Sequence, residues 1–241
     1  MFKRPHHQRI ALALESMDAA LLREHHCFFG GGTAIALRYR EYRESVDIDF
    51  LVSELASYRN LRQLVTGPKG LLALWKQTPG GLQVSSRGIR ADQYGIRCML
   101  EVMGAPIKFE IVLEGRIEFD EPETTDVICG VPTLTVKDLA ASKLLANSDR
   151  WADSGVFSRD LIDLAMMDLP LKLLRSAVFK AEQAYGTSIS RDLAKAIEHM
   201  RSRDGWLDRC IQAMAMDIPR AVLWSKVRKL QKVCPAQQPG V

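Results

Sequence analysis

No stretch of this 241-residue chain is apolar for long enough to cross a bilayer as a helix. Met1 to Pro5 does not lead into the apolar core of a signal peptide, so the expected location is the cytoplasm. Cysteine is scarce and scattered. Cys27, Cys98, Cys129, Cys210 and Cys234 form no C-x-x-C pair, which argues against a disulfide framework and against a zinc site. Internal repeats are lacking. So is a strong excess of one charge: 33 Lys and Arg face 29 Asp and Glu, and a net charge of +4 does not by itself require a nucleic-acid partner. What is present is 47% hydrophobic content, enough to build cores for two small domains.

The most informative segment runs from Phe28 to Val52, FFGGGTAIALRYREYRESVDIDFLV. Cys27, Phe28 and Phe29 read as the end of a short buried strand. Gly30, Gly31 and Gly32 then allow a turn without Cβ clashes, and Thr33 heads a helical stretch, Ala34 to Tyr39. A helix N-terminus offers unpaired amides and a partial positive charge, so a triphosphate can bind there, with the Thr33 hydroxyl as a further donor. A plain turn would show the same glycines. Next, Val46, Asp47, Ile48, Asp49 and Phe50 alternate with period two, placing both carboxylates on one strand face with Cα atoms roughly 6.5–7 Å apart. Such a pair can hold divalent cations for phosphoryl or nucleotidyl transfer. A half-exposed strand with an acidic face is the ordinary alternative. Arg43 and Ser45, just upstream, are suitable phosphate donors.

Gly-Gly-Thr, a helix and then R-x-S-x-D-x-D resemble the nucleotidyltransferase fold of the DNA polymerase β superfamily, and more narrowly its AbiEii/AbiGii-type toxin branch. The matching positions are Gly31, Gly32, Thr33, Arg43, Ser45, Asp47 and Asp49. The resemblance implies an α+β chain: a small mixed sheet with flanking helices, a magnesium-dependent NTP site holding two ions, and a helical C-terminal domain. That superfamily usually adds a third carboxylate from a later strand. Pro106 to Leu113, PIKFEIVL, puts Lys108 and Glu110 on one strand face, and Glu110 is the candidate metal ligand. A solvent-facing Lys and Glu on an edge strand would read identically.

A second cluster lies between Val131 and Leu164. Thr135 and Asp138 resemble a capping box at the head of a helix. Lys143 and Arg150 share a face of that helix, and Asp160 and Asp163 share a face of the next. Physics alone allows a solvated helix pair with surface ion pairs. The toxin branch, however, carries a K-x-x-A…R…[RK]-D-x-x-D-L signature, matched in order by Lys143, Ala146, Arg150, Arg159, Asp160, Asp163 and Leu164. The resemblance implies that Lys143 reaches the nucleotide phosphates and that Asp160 positions or activates the attacking group.

Gln8 to Arg23 forms one amphipathic helix, and His25 and His26 stand at its end as a cation pair. A sheet domain covers 1–130, with hairpins and loops from Thr66 to Gly95. A helical domain of about five helices covers 131–233, and 234–241 form a disordered tail rich in Pro and Gln. Arg201, Arg203, Arg209, Arg220, Lys226, Arg228, Lys229 and Lys232 make the C-terminal helices basic, which suits an RNA acceptor or an acidic partner protein. Trp206 and Trp224 are read as core residues, with base stacking the alternative. The expected activity is magnesium-dependent transfer of NMP from NTP to an acceptor hydroxyl, with tRNA and the toxin role supplied by the resemblance, which also implies a cognate antitoxin. A protein or small-molecule acceptor, or a nucleotide-binding module without turnover, are the alternatives. No membrane partner is expected.

Overall fold

The computed structural model describes residues 2–85 and 88–235. Residues 236–241, most of the expected disordered tail, lie outside this range. The chain divides into two compact units, the second beginning at Val136.

The first unit opens with α1 (Pro5–Glu15) and α2 (Ala19–Glu24) in place of the single expected helix. Asp18 makes the break: its carboxylate accepts from the backbone N–H of Ala20 and Leu21, a capping geometry that competes with continuing α1. Then come β1 (Phe28–Phe29), α3 (Gly31–Arg38), β2 (Ile48–Val52) and α4 (Leu55–Thr66). After a 3₁₀ turn at Gly70–Leu74 follow β3 (Leu82–Val84), β4 (Arg90–Ala91), β5 (Gly95–Val102) and β6 (Ala105–Leu113), with a small separate pair, β7 (Val127–Ile128) and β8 (Val131–Pro132). The main sheet is mixed, in the order β1-β2-β6-β5-β3 with β4 also on β5. β2 and β6 run parallel and their other neighbours are antiparallel. Met103 and Gly104 both take positive φ between β5 and β6, as a two-residue hairpin turn requires.

Register explains why the sheet has one dry face. Phe29 lies opposite Phe50, Ile48 opposite Phe109, and Phe109 opposite Cys98. With Ile107, Ile111, Ile96 and Leu100 these form a continuous apolar layer, each large side chain contributing about 1.5–3 kcal/mol by burial. The rings of Phe29, Phe50, Phe109 and Trp75 follow one another at 5.6, 5.8 and 5.9 Å, and the Trp75 indole donates to the Ala13 carbonyl of α1. Asp49, Glu110 and Arg97 share the opposite, polar face.

The second unit is helical: α5 (Val136–Arg150), α6 (Arg159–Met166), α7 (Leu171–Tyr185), α8 (Ser188–Ser202), α9 (Trp206–Ala213) and α10 (Arg220–Lys229). One more break occurs than the sequence suggested. Ala215 turns left-handed at φ 48°, and Pro219 stands at the N-cap of α10, where the missing N–H costs nothing. Before α6, Phe157 and Ser158 are both left-handed, and the Trp206 indole donates to Ser158 Oγ at 2.9 Å.

Candidate functional site

The glycine turn and the aspartate strand are in direct contact. The Gly30 N–H donates to the Asp49 carbonyl at 2.8 Å, tying the head of α3 to β2. Gly31 has φ +67°, and a Cβ there would lie 2.4 Å from Asp49 Oδ2. Only glycine fits, for reasons of both backbone and space. The amides of Gly31, Gly32 and Thr33 open the eight-residue α3 without acceptors in the helix itself, as at any helix start.

Thr33 and Ser45 act inward. Thr33 is buried, and its hydroxyl lies 2.6 Å from the Asp47 carbonyl and 2.8 Å from Ser45 Oγ. A carbonyl can only accept, so the Thr33 proton goes to Asp47 and the Ser45 hydroxyl donates to Thr33 Oγ1. Both residues thus hold the segment that presents Asp47. Arg43 is only 2% exposed, and its Nη1 donates to the Glu44 carbonyl at 2.8 Å.

Two histidines that the sequence reading did not single out hold the same segment. His6 Nε2 donates to the Val46 carbonyl at 3.0 Å. His7 is fully buried and accepts the Ser45 N–H on Nε2 at 3.1 Å, so its proton sits on Nδ1 and is donated to Glu41 at 2.9 Å. Burial is the main reason His7 is held below the usual histidine pKa, against the opposing pull of Glu41. Glu41 also accepts the N–H groups of Lys3 and Arg4 and so caps α1 from a distance. The local signal was only Pro5, which favours a helix start and so places His6 and His7 in the first turn of α1.

Asp47 and Asp49 are both partly accessible, and no hydrogen bond or ion pair of the Asp47 carboxylate is found among the described residues. Glu110 lies opposite Asp49 in the parallel pairing, as a third ligand would. Its carboxylate oxygens are taken, though, by Arg97 Nε at 2.9 Å and Lys108 Nζ at 2.6 Å. Among the described residues no group of three or more His, Cys, Asp or Glu is placed to hold a metal. Two hard carboxylates, one of them packed against the Gly31 turn, do fit magnesium, which is commonly held by one or two carboxylates with substrate phosphates and water completing the shell.

In the second unit, four of the five charged residues of the signature meet. Lys143 Nζ lies 2.9 Å from Asp160 and 2.7 Å from Asp163, while Arg150 grips Asp160 in two places, at 2.7 and 3.0 Å. Lys143, Asp160 and Asp163 are 6%, 2% and 0% exposed, so the solvated-surface alternative does not hold. Two cations and two carboxylates balance in charge, which makes their burial tolerable. Burial would raise the Asp160 pKa, but Lys143 and Arg150 outweigh it and hold the carboxyl well below the usual range. Asp138 faces Lys180 of α7 in a second buried pair.

Two crystal structures from Helicobacter pylori resemble the chain. One, described as a candidate nucleotidyltransferase, is 18% identical over 94% of this chain and 93% of its own, with a TM-score of 0.48. The other, JHP933, is 16% identical over 96% and 94%, with a TM-score of 0.50, and supports the fold. Among curated proteins none matches the chain in sequence. The sequence model of the AbiEii toxin, a nucleotidyl transferase of type IV toxin–antitoxin systems, matches residues 13–227, from α1 through α10. With that match spanning both the aspartate strand and the buried signature charges, the chain belongs to the AbiEii nucleotidyl transferase toxin family.

Proposed function

We propose that this nucleotidyltransferase is magnesium-dependent and transfers NMP from an NTP to a hydroxyl of an RNA acceptor, tRNA being the acceptor the family resemblance favours. The observation that carries the reading is the contact between Gly31 and Asp49: with no Cβ at Gly31, the Asp49 carboxylate packs directly against the start of α3, beside the amides of that helix start. The amides of Gly31, Gly32 and Thr33 bind triphosphate oxygens. Asp47 and Asp49 would hold magnesium, which when bound neutralises phosphate charge and orients the attacking and leaving oxygens. Arg43, Thr33 and Ser45 keep this segment in place, and the Ser45 hydroxyl can redirect its proton from Thr33 Oγ1 to a phosphate oxygen. Lys143 and Asp160 enter the reading through the family signature, as the cation for the phosphates and the carboxylate that positions or activates the attacking group. The toxin family also supports a cognate antitoxin as partner.

The test is to incubate the purified protein with α-labelled NTP, magnesium and total cellular RNA or protein, beside Asp47→Asn and Asp49→Asn. Label is expected in RNA, and either variant should lose it while melting within about 0.5 kcal/mol of wild type, as for other partly exposed sites. Wild-type turnover in either variant sinks the metal assignment. Label in protein instead of RNA sinks the acceptor.

A further inference from the structure

The end of α8, the start of α9 and one side of α10 line a cavity of about 790 Å³ whose walls carry Arg201, Arg203, Arg220 and Arg228. Asp204 is the acidic residue on this wall, and Trp224 is the aromatic one. The arginines differ in their ties. Arg201 pairs with Glu198 at 2.9 Å and Arg220 with Asp208 at 3.2 Å, both pairs largely exposed and therefore readily exchanged for a stronger anion. Arg203 lies over the Trp206 ring at 4.1 Å, which fixes the guanidinium plane without neutralising it. Arg228 has no ion-pair partner among the described residues. Trp224 is only half-buried, although an indole of its size is ordinarily packed away at a helix junction.

Four guanidiniums around a partly open indole match one ligand chemistry: phosphates joined to a flat base. We propose that this pocket binds a nucleotide of a single-stranded RNA, with the base stacked on Trp224 and the flanking phosphates on the arginines. An acidic peptide would engage the arginines and leave the indole idle, whereas unpaired RNA uses both. The inference deepens the reading of RNA as acceptor and rests on it, while standing on residues remote in sequence from Asp47 and Asp49.

The experiment is a fluorescence-anisotropy titration of a short, labelled, unstructured RNA with the full chain between about 50 and 200 mM salt, the range over which counterion release is read most clearly. Trp224→Ala should weaken binding roughly tenfold and Trp224→Phe should retain most of it, since stacking tolerates any aromatic ring. Arg228→Ala should reduce the slope of log affinity against log salt by about 0.7, the value for one single-strand phosphate contact. Arg228→Glu, at an exposed position that leaves folding intact, should weaken binding further. Unchanged affinity and slope in Arg228→Glu overturn the pocket, whatever the tryptophan variants do. Displacement by polyglutamate, or by free ATP as effectively as by RNA of equal nucleotide concentration, overturns the choice of ligand. Asp47→Asn, run in parallel, should bind RNA like wild type. Pocket-dependent RNA binding with no label transferred to RNA by the wild type would leave this inference standing and defeat the acceptor reading alone.

Discussion

Removing the Lys143 ammonium should unbalance the buried charges of the helical unit. Its contacts at 2.9 and 2.7 Å to Asp160 and Asp163 correspond to a gross attraction of roughly 6 kcal/mol each at an effective dielectric of about 20. Desolvating the ions takes back several kcal/mol apiece, so the expected net loss for Lys143→Met is about 3–5 kcal/mol, the usual range when one partner of a buried pair is removed. For a unit of this size the melting temperature should fall by more than about 10 °C. Arg150 still covers Asp160, so Asp163 is the carboxylate that loses its close cation, and Lys143→Met with Asp163→Leu should recover most of the loss. Urea unfolding of the full chain, followed by circular dichroism at neutral pH, reads the cycle. Labelled transfer by the recovered double variant then separates stability from chemistry, because a lysine that serves the phosphates stays missed after the fold is restored. A single-variant loss below about 1 kcal/mol refutes the buried-charge reasoning. The same cluster sets an acid limit. Asp160 has a lowered folded pKa, so its stabilisation is complete above the unfolded carboxylate value and drains away as the pH falls through it toward the folded one.

Gly31→Ala should abolish transfer and cost upwards of about 1 kcal/mol, from the positive φ and the clash with Asp49 together; an active, stable Gly31→Ala enzyme would show that the close approach of Asp49 to the turn is not needed. His7, with its pKa lowered mainly by burial, contributes stability that is present above the ordinary histidine value of 6.5 and lost as the pH falls from there through the lower folded value. In His7→Gln that pH-dependent loss should disappear from stability curves taken between about pH 5 and 7, the interval in which histidine titrates. Superimposable curves for variant and wild type would place the titration elsewhere.

Much of the sheet unit was legible because period two and a glycine turn are local signals. Asp49 on the polar face of β2, and Lys108 with Glu110 on another strand, follow from alternation alone, whereas β2 begins at Ile48 and leaves Asp47 just before it. Alternation does not say what neighbours a side chain: the pairing of Glu110 with Arg97 depends on β5 and β6 lying antiparallel in one register, which the hairpin at Met103 and Gly104 sets. Helical spacing likewise put Lys143 and Arg150 on one face but could not distinguish a wet face from a buried one, because charged residues read as exposed until their partners are known. The α1–α2 break was hidden because the apolar periodicity continues across it while a single Asp18 carboxylate decides the backbone. Thr33 illustrates the same limit: its hydroxyl could serve a ligand or the chain, and only the nearness of the Asp47 carbonyl settles its proton.

Dissecting this toxin by truncation depends on a short stretch of extended chain. Thr133 bridges to Phe29, and the Leu134 N–H donates to the Phe29 carbonyl at 3.0 Å. Leu134 is fully buried, with its Cδ1 2.9 Å from the place a Gly30 Cβ would occupy. A fragment ending at Gly130 would therefore strip the outer side of β1, leaving its backbone groups as an open edge directly beside the glycine turn. Open edges recruit other strands, including those of a second copy. Such a fragment would self-associate through the strand that leads into the glycine turn, and its inactivity would say nothing about what the helices contribute; one ending after Thr135 keeps the edge covered.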